Sequence, residues 1–498
     1  MKKNLVLALP QVTVDYTFKV PGHIEEICNV FVSRNYFSKE HHADLTGIAR
    51  SGLQRDLKLA LDPGELEHFG LALDYVRGEY PHLQQEQIGG NPGIFALRGY
   101  YLDPEGRDPS LPTVQYIGLR PESYIEFESR KIIEDPPFHK VLQRVFNENY
   151  CVTIRKKPIT MSLEGNFKII FVNGIGRTLD ELRGKDGSFS AYVDRLERLS
   201  AEHVEARILF AFPAVPYSRD AEAKRLKDEA QGLKDEAQGL DAEAKRLDTE
   251  ATRQEAEAKR QKAEAKRKEA EAKRLDAEAK RLEDGAALLK EIKDRFQDRA
   301  LFFFGSSSFR DGTVLNVDRA RFTWVKLLQG AHILSMNETE LADLHTAVVG
   351  NGTFQEKALS YKLMELPIEA IKVCHSSAGS LMDPGPDPGR FLNAQLFAKD
   401  PSAFLENSLW LATDGAAYGI ASQFGNQATE AAVRIFSVRV KSRNTGTFRA
   451  VFLNVLERMP PGLIAVPAPM VARGHSKSAL TGVGARFDGL LATFLMRS

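Results

Sequence analysis

The stretch Leu463-Ile464-Ala465-Val466, followed near the end of the chain by Gly482-Val483-Gly484-Ala485, decides the fold that we predict. The first quartet is apolar and bounded by Pro and Gly residues, which is typical of a buried strand. The second opens the stretch 486–496, whose pattern predicts a helix. A Gly-x-Gly turn that enters a helix presents backbone N–H groups at the positive end of the helix dipole. This part of the chain is therefore predicted to bind an anion.

Length and composition limit the class of protein. The 498 residues suffice for one large domain with an appendage, or for two domains. The 67 basic and 67 acidic residues balance, so no global field favours nucleic acid or a membrane surface. Cys28, Cys151 and Cys374 form neither a zinc pattern nor an even set for disulfides. No apolar run reaches the roughly 18 residues of a membrane span. We expect a soluble, cytoplasmic protein.

Outside residues 220–296, short apolar runs alternate with amphipathic stretches. This alternation predicts an α/β domain with a mostly parallel central sheet flanked by helices. Short β-rich runs early in the chain predict a smaller sheet that acts as a lid. Residues 124–128 and 408–412 are among the runs predicted as strands. We assign 1–15, 61–94, 166–219 and 297–498 to the α/β domain, and 16–60 and 95–165 to the lid.

Residues 220–296 are eleven consecutive heptads of the type Asp-Ala-Glu-Ala-Lys-Arg-Leu. Ala at the fourth position and Leu at most seventh positions form a narrow apolar seam, the pattern of a coiled coil. Basic and acidic residues nearly balance, which favours a solvated helix over a nucleic-acid arm. An antiparallel hairpin with its tip near Gln261 would return the chain to one domain, and a single frayed helix is the alternative. Either form allows self-association or a protein partner.

Three further motifs lie where an apolar run meets a turn or a helix-like stretch. Asp15 follows the first apolar run, and a carboxylate there can accept hydrogen bonds from two hydroxyl groups. Gly89-Gly90-Asn91 precedes a helix-like stretch, and its glycines allow a ligand to approach the backbone closely. Asn337 and Glu340 follow a strand-like run, and their i,i+3 spacing places both side chains on one helix face. These positions are candidates for binding a small ligand.

Together with the C-terminal glycine turn, these motifs resemble those of the ADP-dependent glucokinase and phosphofructokinase family, within the ribokinase-like superfamily. The resemblance covers essentially the whole chain except the heptads. It implies a ribokinase-like fold and a kinase that transfers the β-phosphoryl group of ADP to a hydroxyl of a sugar or sugar phosphate. It also implies Mg²⁺ as the cofactor.

The resemblance assigns a role to each matched position. Asn337 and Glu340 would organise Mg²⁺ and its waters. The sugar would be held by Asp15, Gly89, Gly90, Asn91 and Arg177. The nucleotide would be held by His375, Val466, Pro467, Thr481, Gly482, Val483 and Gly484.

In the family that the chain resembles, an Asp follows the second Gly of the C-terminal turn and takes the proton from the attacking hydroxyl. Ala485 stands at this position, beside Gly482 and Gly484. Loss of a general base typically costs about 10²–10⁴-fold in rate, whereas the backbone N–H groups that bind phosphate remain. The chain is therefore predicted to be a kinase impaired at residue 485.

Three interpretations of Ala485 stay open. The first is an introduced Asp→Ala change that traps substrate in an otherwise competent kinase. The second is a natural pseudokinase, a sugar- or nucleotide-binding scaffold or sensor that acts through its heptads. The third is that Asp488, one turn along the same helix, replaces the base, although i+3 lies several Å deeper along the helix axis.

Overall fold

A computed structural model gives the fold of the chain. It describes much of residues 3–213 and 287–497 and a few residues between them. The described ranges are 3–9, 12–20, 24–37, 57–61, 66–81, 84–104, 107–155, 159–164, 168–173, 179–201, 206–213, 234–235, 238, 264–265, 268–269, 287–305, 309–311, 314–315, 317–350, 359–375, 379–390, 392, 399–421, 462–467 and 483–497.

Strands and helices alternate along the described residues, as expected for an α/β protein. The strands are β1 (Leu5–Ala8), β2 (Thr13–Lys19), β3 (Leu57–Leu61), β4 (Gln84–Gly89), β5 (Thr113–Tyr116), β6 (Leu119–Pro121), β7 (Val152–Ile154), β8 (Ile159–Glu164), β9 (Lys168–Asn173), β10 (Ile208–Phe212), β11 (Ala300–Gly305), β12 (Arg310–Asp311), β13 (Val314–Leu315), β14 (Ile333–Asn337), β15 (Ile371–His375), β16 (Gly379–Asp383) and β17 (Ile464–Pro467). The helices are α1 (Ile24–Ser33), α2 (Leu66–Glu79), α3 (Asn91–Leu102), α4 (Glu122–Glu134), α5 (Pro136–Val145), α6 (Ser190–Ala201), α7 (287–296), α8 (Val317–Lys326), α9 (Glu338–Val348), α10 (Leu359–Glu365), α11 (Pro401–Ala421) and α12 (Val483–Leu495). Short 3₁₀ turns lie at Leu179–Leu182, Gln297–Arg299, Leu328–Gly330 and Pro388–Arg390.

The large sheet has eight strands in the order β17-β16-β15-β14-β11-β10-β1-β5. From β15 to β5 all neighbours are parallel, and β16 runs antiparallel to β15 and β17. Its central strands are apolar throughout because helices cover both faces; every residue of β1, β10 and β11 is buried. The predicted α/β architecture with a mostly parallel sheet is confirmed.

Two groups of helices cover this sheet. On one face, α3, α11 and α12 contribute Phe95, Leu409 and Leu491 to the core. On the other face, helices α6 to α10 contribute residues such as Leu196 and Trp324. The sheet and its two helical layers form a three-layer α/β/α arrangement.

A second sheet has the order β3-β9-β8-β2-β4, and helices α1 and α2 pack on one of its faces. Its strands differ from those of the predicted lid. β4 and β9 lie in segments that were assigned to the α/β domain, whereas β5, from the assigned lid segment 95–165, is an edge strand of the large sheet. Those parts of the domain prediction are wrong, because strand pairing between distant segments leaves no local signal in the sequence.

Two predicted strands are helical. Residues 124–128 lie in α4, whose buried residues Ser123, Tyr124, Phe127 and Glu128 follow helical spacing. Residues 408–412 lie in α11. In both places a short apolar run belongs to one face of a helix, a case that periodicity over five residues does not resolve.

The described part of the heptad segment is small. Residues 234–235, 238, 264–265 and 268–269 are helical, and the predicted hairpin lies outside the described residues. The last heptads form α7, whose Leu288 and Ile292 are fully buried against the large sheet. Phe296 packs its ring 5.0 Å from that of Phe210 in β10. The end of the predicted insert therefore belongs to the core of the α/β domain.

The three cysteines are buried thiols in separate parts of the fold. Burial raises the pKa of Cys28, Cys151 and Cys374 to about 12, so the reactive thiolate is scarce at neutral pH. Among the helices that the structure describes, none is both long enough and apolar enough to cross a membrane.

Candidate active site

The parallel strands of the large sheet end along one edge, where ligands of open α/β sheets bind. Asn337, the last residue of β14, pairs in register with His375, the last residue of β15. Pro467 ends β17 at the same edge, opposite Gly379 of β16. Several residues predicted for nucleotide and metal binding therefore share this carboxyl edge.

Helices α3 and α12 lie side by side and point in the same direction. A Cβ at Gly489 would lie 2.4 Å from the carbonyl oxygen of Phe95, and a Cβ at Gly99 would lie 2.8 Å from Oγ1 of Thr493. Both pairs have the same sequence offset of 394 (489 − 95 and 493 − 99), so the helices are parallel. The offset places residue 91 level with residue 485. The N-termini of α3 and α12 are neighbours.

Both N-termini lie at the carboxyl edge of the large sheet. Nδ2 of Asn91 donates to the carbonyl oxygen of Pro213, which follows β10. A Cβ at Gly484 would lie 3.0 Å from Cε1 of His375, at the end of β15. Because each helix carries about half a positive charge at its N-terminus, the two dipoles add at one place. This pair of N-terminal turns, which we call the anion site, can attract a phosphate group.

Glycine is required at the start of α3. Gly90, the N-cap residue, has φ 74° and ψ 129°, a conformation that side chains disfavour. No described side chain caps the N–H groups of this first turn. The turn can therefore offer backbone donors to a ligand.

The Asp15 carboxylate lies directly over Gly89. A Cβ at residue 89 would come within 1.9 Å of Oδ1 and 2.3 Å of Oδ2 of Asp15. The same carboxylate accepts a hydrogen bond from Oγ1 of Thr13, at 3.0 Å. Gly89 immediately precedes the cap of α3, so the fold connects Asp15 to the anion site through one turn of backbone.

His375, at the end of β15, lies beside the first turn of α12. Its half-buried ring lies 5.0 Å from the ring of Phe487. Burial lowers the pKa of His375 to about 4, so the imidazole is neutral at pH 7 and suits stacking or a neutral hydrogen bond rather than a charge pair. Val466 is buried in β17.

Asn337 and Glu340 form a capping box at the start of α9. Oδ1 of Asn337 accepts from the backbone N of Glu340, and Oε2 of Glu340 accepts from the backbone N of Asn337, both at 2.9 Å. This structural role was visible in the sequence as Asn-x-x-Glu before an apolar run. Mg²⁺ commonly takes one or two carboxylates together with waters and substrate phosphates, and the Glu340 carboxylate fits that chemistry. Among the described residues, no group of three or more His, Cys, Asp or Glu side chains forms a metal cage.

Asp488 lies on the face of α12 that meets the sheet. Its Oδ1 accepts from Oγ of Ser335 at 2.5 Å, and burial raises the pKa of Asp488 to about 7. Ser335 lies two residues before the end of β14, behind the carboxyl edge. This orientation disfavours Asp488 as a replacement for the base at residue 485.

The sequence did not single out two arginines of the paired helices, Arg486 in the first turn of α12 and Arg98 in α3. Arg486 follows Ala485 and is 3% exposed; burial and the neighbouring Arg98 of α3 lower its pKa to about 9. Burial also lowers the pKa of Arg98. The sequence signal that could have indicated Arg486 is its charge, since it stands among mostly apolar residues at the start of α12.

Some predicted positions lie outside the described residues: Arg177, Thr481 and Gly482. Val483 is the first residue of α12. Ala485, in the first turn, is 5% exposed. The anion site thus holds Gly90, Asn91, Gly484 and Ala485, with Asp15, Asn337 and His375 around it.

No protein-family model matches the sequence, and no curated protein matches it. The fold is similar to that of a phosphofructokinase from Pyrococcus horikoshii OT3 solved with AMP, over 99% of this chain and 98% of that one, at 12% identity and a TM-score of 0.46. A hypothetical ADP-dependent phosphofructokinase from the same organism gives the same coverage and identity, with a TM-score of 0.47. Adenosine kinase from Anopheles gambiae matches over 77% of this chain and 80% of that one, at 11% identity and a TM-score of 0.38.

Proposed function

We propose that the chain is a sugar kinase of ribokinase-like fold that uses ADP and lacks its general base because Ala485 occupies that position. The observation that carries the proposal is the parallel, level packing of α3 and α12. It joins an anion site to a carboxylate suited to hydroxyl groups, which are the two binding functions that a sugar kinase needs.

Each side of the site has a separate task. Asp15 would accept hydrogen bonds from sugar hydroxyls, and the open backbone at Gly89 and Gly90 would let the sugar approach. The first-turn N–H groups of α12 would bind the β-phosphate of ADP, where the helix dipole stabilises negative charge that develops during transfer. Neutral His375 would contact the nucleotide without adding charge.

Magnesium would be held through Glu340, with Asn337 fixing that side chain by the capping box. When bound, the ion supplies positive charge that neutralises the transferring phosphoryl group. The choice of ADP as donor rests on the motif resemblance.

Ala485 explains why turnover should be slow while binding persists. A methyl group cannot accept the hydroxyl proton, and the backbone N–H of residue 485 does not depend on the side chain. The side chain of Ala485 is 5% exposed in the first turn of α12, so a carboxylate placed there would be largely shielded from water.

The test is the Ala485→Asp variant, assayed with ADP, Mg²⁺ and a panel of sugars. We expect its rate to exceed that of the unchanged chain by about 10²-fold or more, because a positioned general base contributes that much. Ala485→Asn is the matched control, since it has nearly the same shape and cannot act as the base. ATP in place of ADP tests the donor. Equal rates for the Asp and Asn variants, with ADP and sugar both bound, would reject the proposal.

A further inference from the structure

Tyr116 is the last residue of β5, which pairs with β1 in the large sheet. Its side chain is fully buried, and its hydroxyl makes two hydrogen bonds. Oη accepts from the backbone N of Val12 and donates to the carbonyl oxygen of Leu119, each at 2.8 Å. Burial raises the pKa of Tyr116, so the hydroxyl keeps the proton that it donates. This one group therefore holds two separate segments of backbone.

Val12 lies where the chain passes from the large sheet to the second sheet. β1 of the large sheet ends at Ala8, and β2 of the second sheet begins at Thr13. The side chain of Val12 is fully buried, and a Cβ at Gly93 would lie 2.9 Å from its Cγ2. Gly93 is in the first turn of α3, so Val12 packs on the helix that begins at the anion site. Its backbone N–H is held from the large sheet by Tyr116.

The position of Asp15 depends on this junction. Thr13, the residue after Val12, pairs in register with Gly89, and its Oγ1 donates to Oδ1 of Asp15. A strand rises about 3.3 Å per residue, so Asp15 lies about 10 Å along β2 from the N–H group that Tyr116 fixes. Because the paired strand is stiff, a shift of its first residues would move the carboxylate relative to the anion site.

Two other buried tyrosines show what the hydroxyl of residue 116 adds to packing. The rings of Tyr116 and Tyr124 lie 5.0 and 5.1 Å from that of Phe146, and Tyr124 is also fully buried. Among the described residues, Oη of Tyr124 has no hydrogen-bond partner. Oη of Tyr192 donates to the carbonyl oxygen of Ile117 at 2.8 Å. Of these three hydroxyl groups, that of Tyr116 contacts the junction with the second sheet.

Alignment between the two sheets matters for phosphoryl transfer. In the proposed site, Asp15 of the second sheet holds the sugar, and the first turn of α12, which packs on the large sheet, holds the phosphate. A misplacement of the reacting groups by about 1 Å can cost about 10²-fold in rate. The contacts that fix the start of β2 to the large sheet therefore bear on both binding and transfer.

We propose that Tyr116 is a positioning residue, whose hydroxyl fixes the start of β2 and so holds the Asp15 carboxylate at the distance from the anion site that phosphoryl transfer requires. This inference rests on the proposed function, since it takes Asp15 as the ligand of the sugar. Tyr116 acts through the backbone of Val12 and does not contact the sugar.

The experiment compares Tyr116→Phe, Tyr124→Phe and Tyr192→Phe in the full chain. Each variant removes one hydroxyl from a buried ring and keeps the rest of the side chain. Tyr124→Phe is the control for loss of the oxygen atom itself, and Tyr192→Phe is the control for loss of a buried hydrogen bond. Calorimetry measures the Kd for ADP with Mg²⁺ and for glucose, fructose, ribose and their phosphate esters. Hydrogen exchange at the backbone amide of Val12 measures the contact directly.

We expect the Kd of the tightest-binding sugar or sugar phosphate to rise about tenfold in Tyr116→Phe, because the carboxylate is no longer held in place. The two controls should bind it as the unchanged chain does. Exchange at Val12 should become faster in Tyr116→Phe alone. The Kd for ADP should stay the same in every variant, which also reports that the variants are folded. With Ala485→Asp present, Tyr116→Phe should lower kcat at saturating sugar by about tenfold or more.

Three results would overturn the inference. They are unchanged sugar binding in Tyr116→Phe, an equal loss of sugar binding in Tyr192→Phe, and unchanged exchange at Val12 in Tyr116→Phe. In each of these cases, binding of ADP and of a sugar to the unchanged chain would leave the proposed function standing. Failure of the unchanged chain to bind ADP and every sugar would remove both.

Discussion

The Asp15 carboxylate occupies the space into which a side chain at Gly89 would project, with both carboxylate oxygens within 2.3 Å of the position of a Cβ. Gly89 is the last residue of β4, and the next residue caps α3. The carboxylate can lie over this turn because residue 89 has no side chain.

Replacing Gly89 by Ala should therefore displace Asp15. The clashing atoms belong to the end of a side chain, which can rotate, so the fold should survive while the carboxylate leaves its place. We expect the Kd for the sugar to rise about tenfold or more, as charged hydrogen bonds are lost, with the Kd for ADP unchanged. Calorimetry measures both.

Gly78→Ala is the matched control for this variant. Gly78 lies in α2, and a Cβ there would meet nothing within 4 Å. Unaltered sugar binding in Gly89→Ala, or an equal loss in both variants, would show that the contact with Asp15 does not position the carboxylate for the ligand.

Close packing of α3 and α12 at Gly489 should be needed for stability and for both ligands. A Cβ at residue 489 would lie 2.4 Å from the carbonyl oxygen and 3.0 Å from Cα of Phe95, and backbone atoms cannot rotate away. Gly489→Ala should lower the free energy of unfolding by about 1–3 kcal/mol through overpacking and weaken ADP binding. Denaturant unfolding and ADP titration measure the two effects.

Gly70→Ala, at an open position of α2, provides the comparison. There the substitution should raise the free energy of unfolding by about 0.5–1 kcal/mol, since Ala loses less chain entropy than Gly in a helix. A Gly489→Ala protein as stable as the unchanged chain would contradict the parallel packing.

Asp488 should make the chain less stable as pH rises from about 4 to 7. Burial raises its pKa in the folded protein to about 7 from an ordinary value of 3.8. In this range the folded chain keeps a proton that the unfolded chain releases, so the free energy of unfolding falls by about 1.4 kcal/mol per pH unit from this group.

Asp488→Asn removes the titrating group, and its amide oxygen can still accept the hydroxyl of Ser335. The difference in unfolding free energy between this variant and the unchanged chain should therefore grow in favour of the variant between pH 4 and pH 7. Parallel pH profiles of denaturant unfolding measure it. Profiles with the same slope would contradict a buried carboxyl that holds its proton.

We expect residues 220–286 of the heptad segment to be dispensable for folding and helix α7 (287–296) to be required for it. Deleting 220–286 should leave a folded chain that binds ADP. Deleting 220–296 also removes Leu288, Ile292 and Phe296 from the core, and losses of about 2–5 kcal/mol for each large side chain should unfold it. Thermal unfolding and ADP titration compare the two deletions.

Light scattering on the shorter deletion tests the further proposal that residues 220–286 mediate self-association. The unchanged chain should then have a larger mass in solution than the deletion by more than the deleted residues account for. If the two masses differ by the deleted residues alone, residues 220–286 do not mediate self-association. If the chain lacking 220–296 is well folded, α7 is not part of the core that the fold requires.

The spacing of apolar residues and the residue types at turns and helix starts predicted much of the architecture. The runs at 207–212, 300–304 and 370–375 were recognisable as strands because parallel strands buried on both faces are mostly apolar. Residues 338–348 were recognisable as a helix, and the Asn337 capping box that starts it follows from residue types three apart.

The remaining features depend on contacts between distant segments. The level packing of α3 on α12 joins Gly489 to Phe95, and no local pattern indicates which helix a glycine will face. The sequence also did not indicate that β5 belongs to the large sheet, because this depends on its pairing with β1. The polar face of β2 was visible in the sequence, because Thr13, Asp15 and Thr17 alternate with apolar residues. The residues that lie beside Asp15 on β4 and β8 could be named only from the register.

A crystal structure of the unchanged chain with ADP, Mg²⁺ and the tightest-binding sugar or sugar phosphate tests the central claim most directly, because Ala485 should keep the ligands from reacting. The account predicts the β-phosphate at the backbone N–H groups of the first turn of α12 and the sugar hydroxyls on Asp15. A diphosphate bound away from Gly484, or a sugar bound away from Asp15, would contradict it.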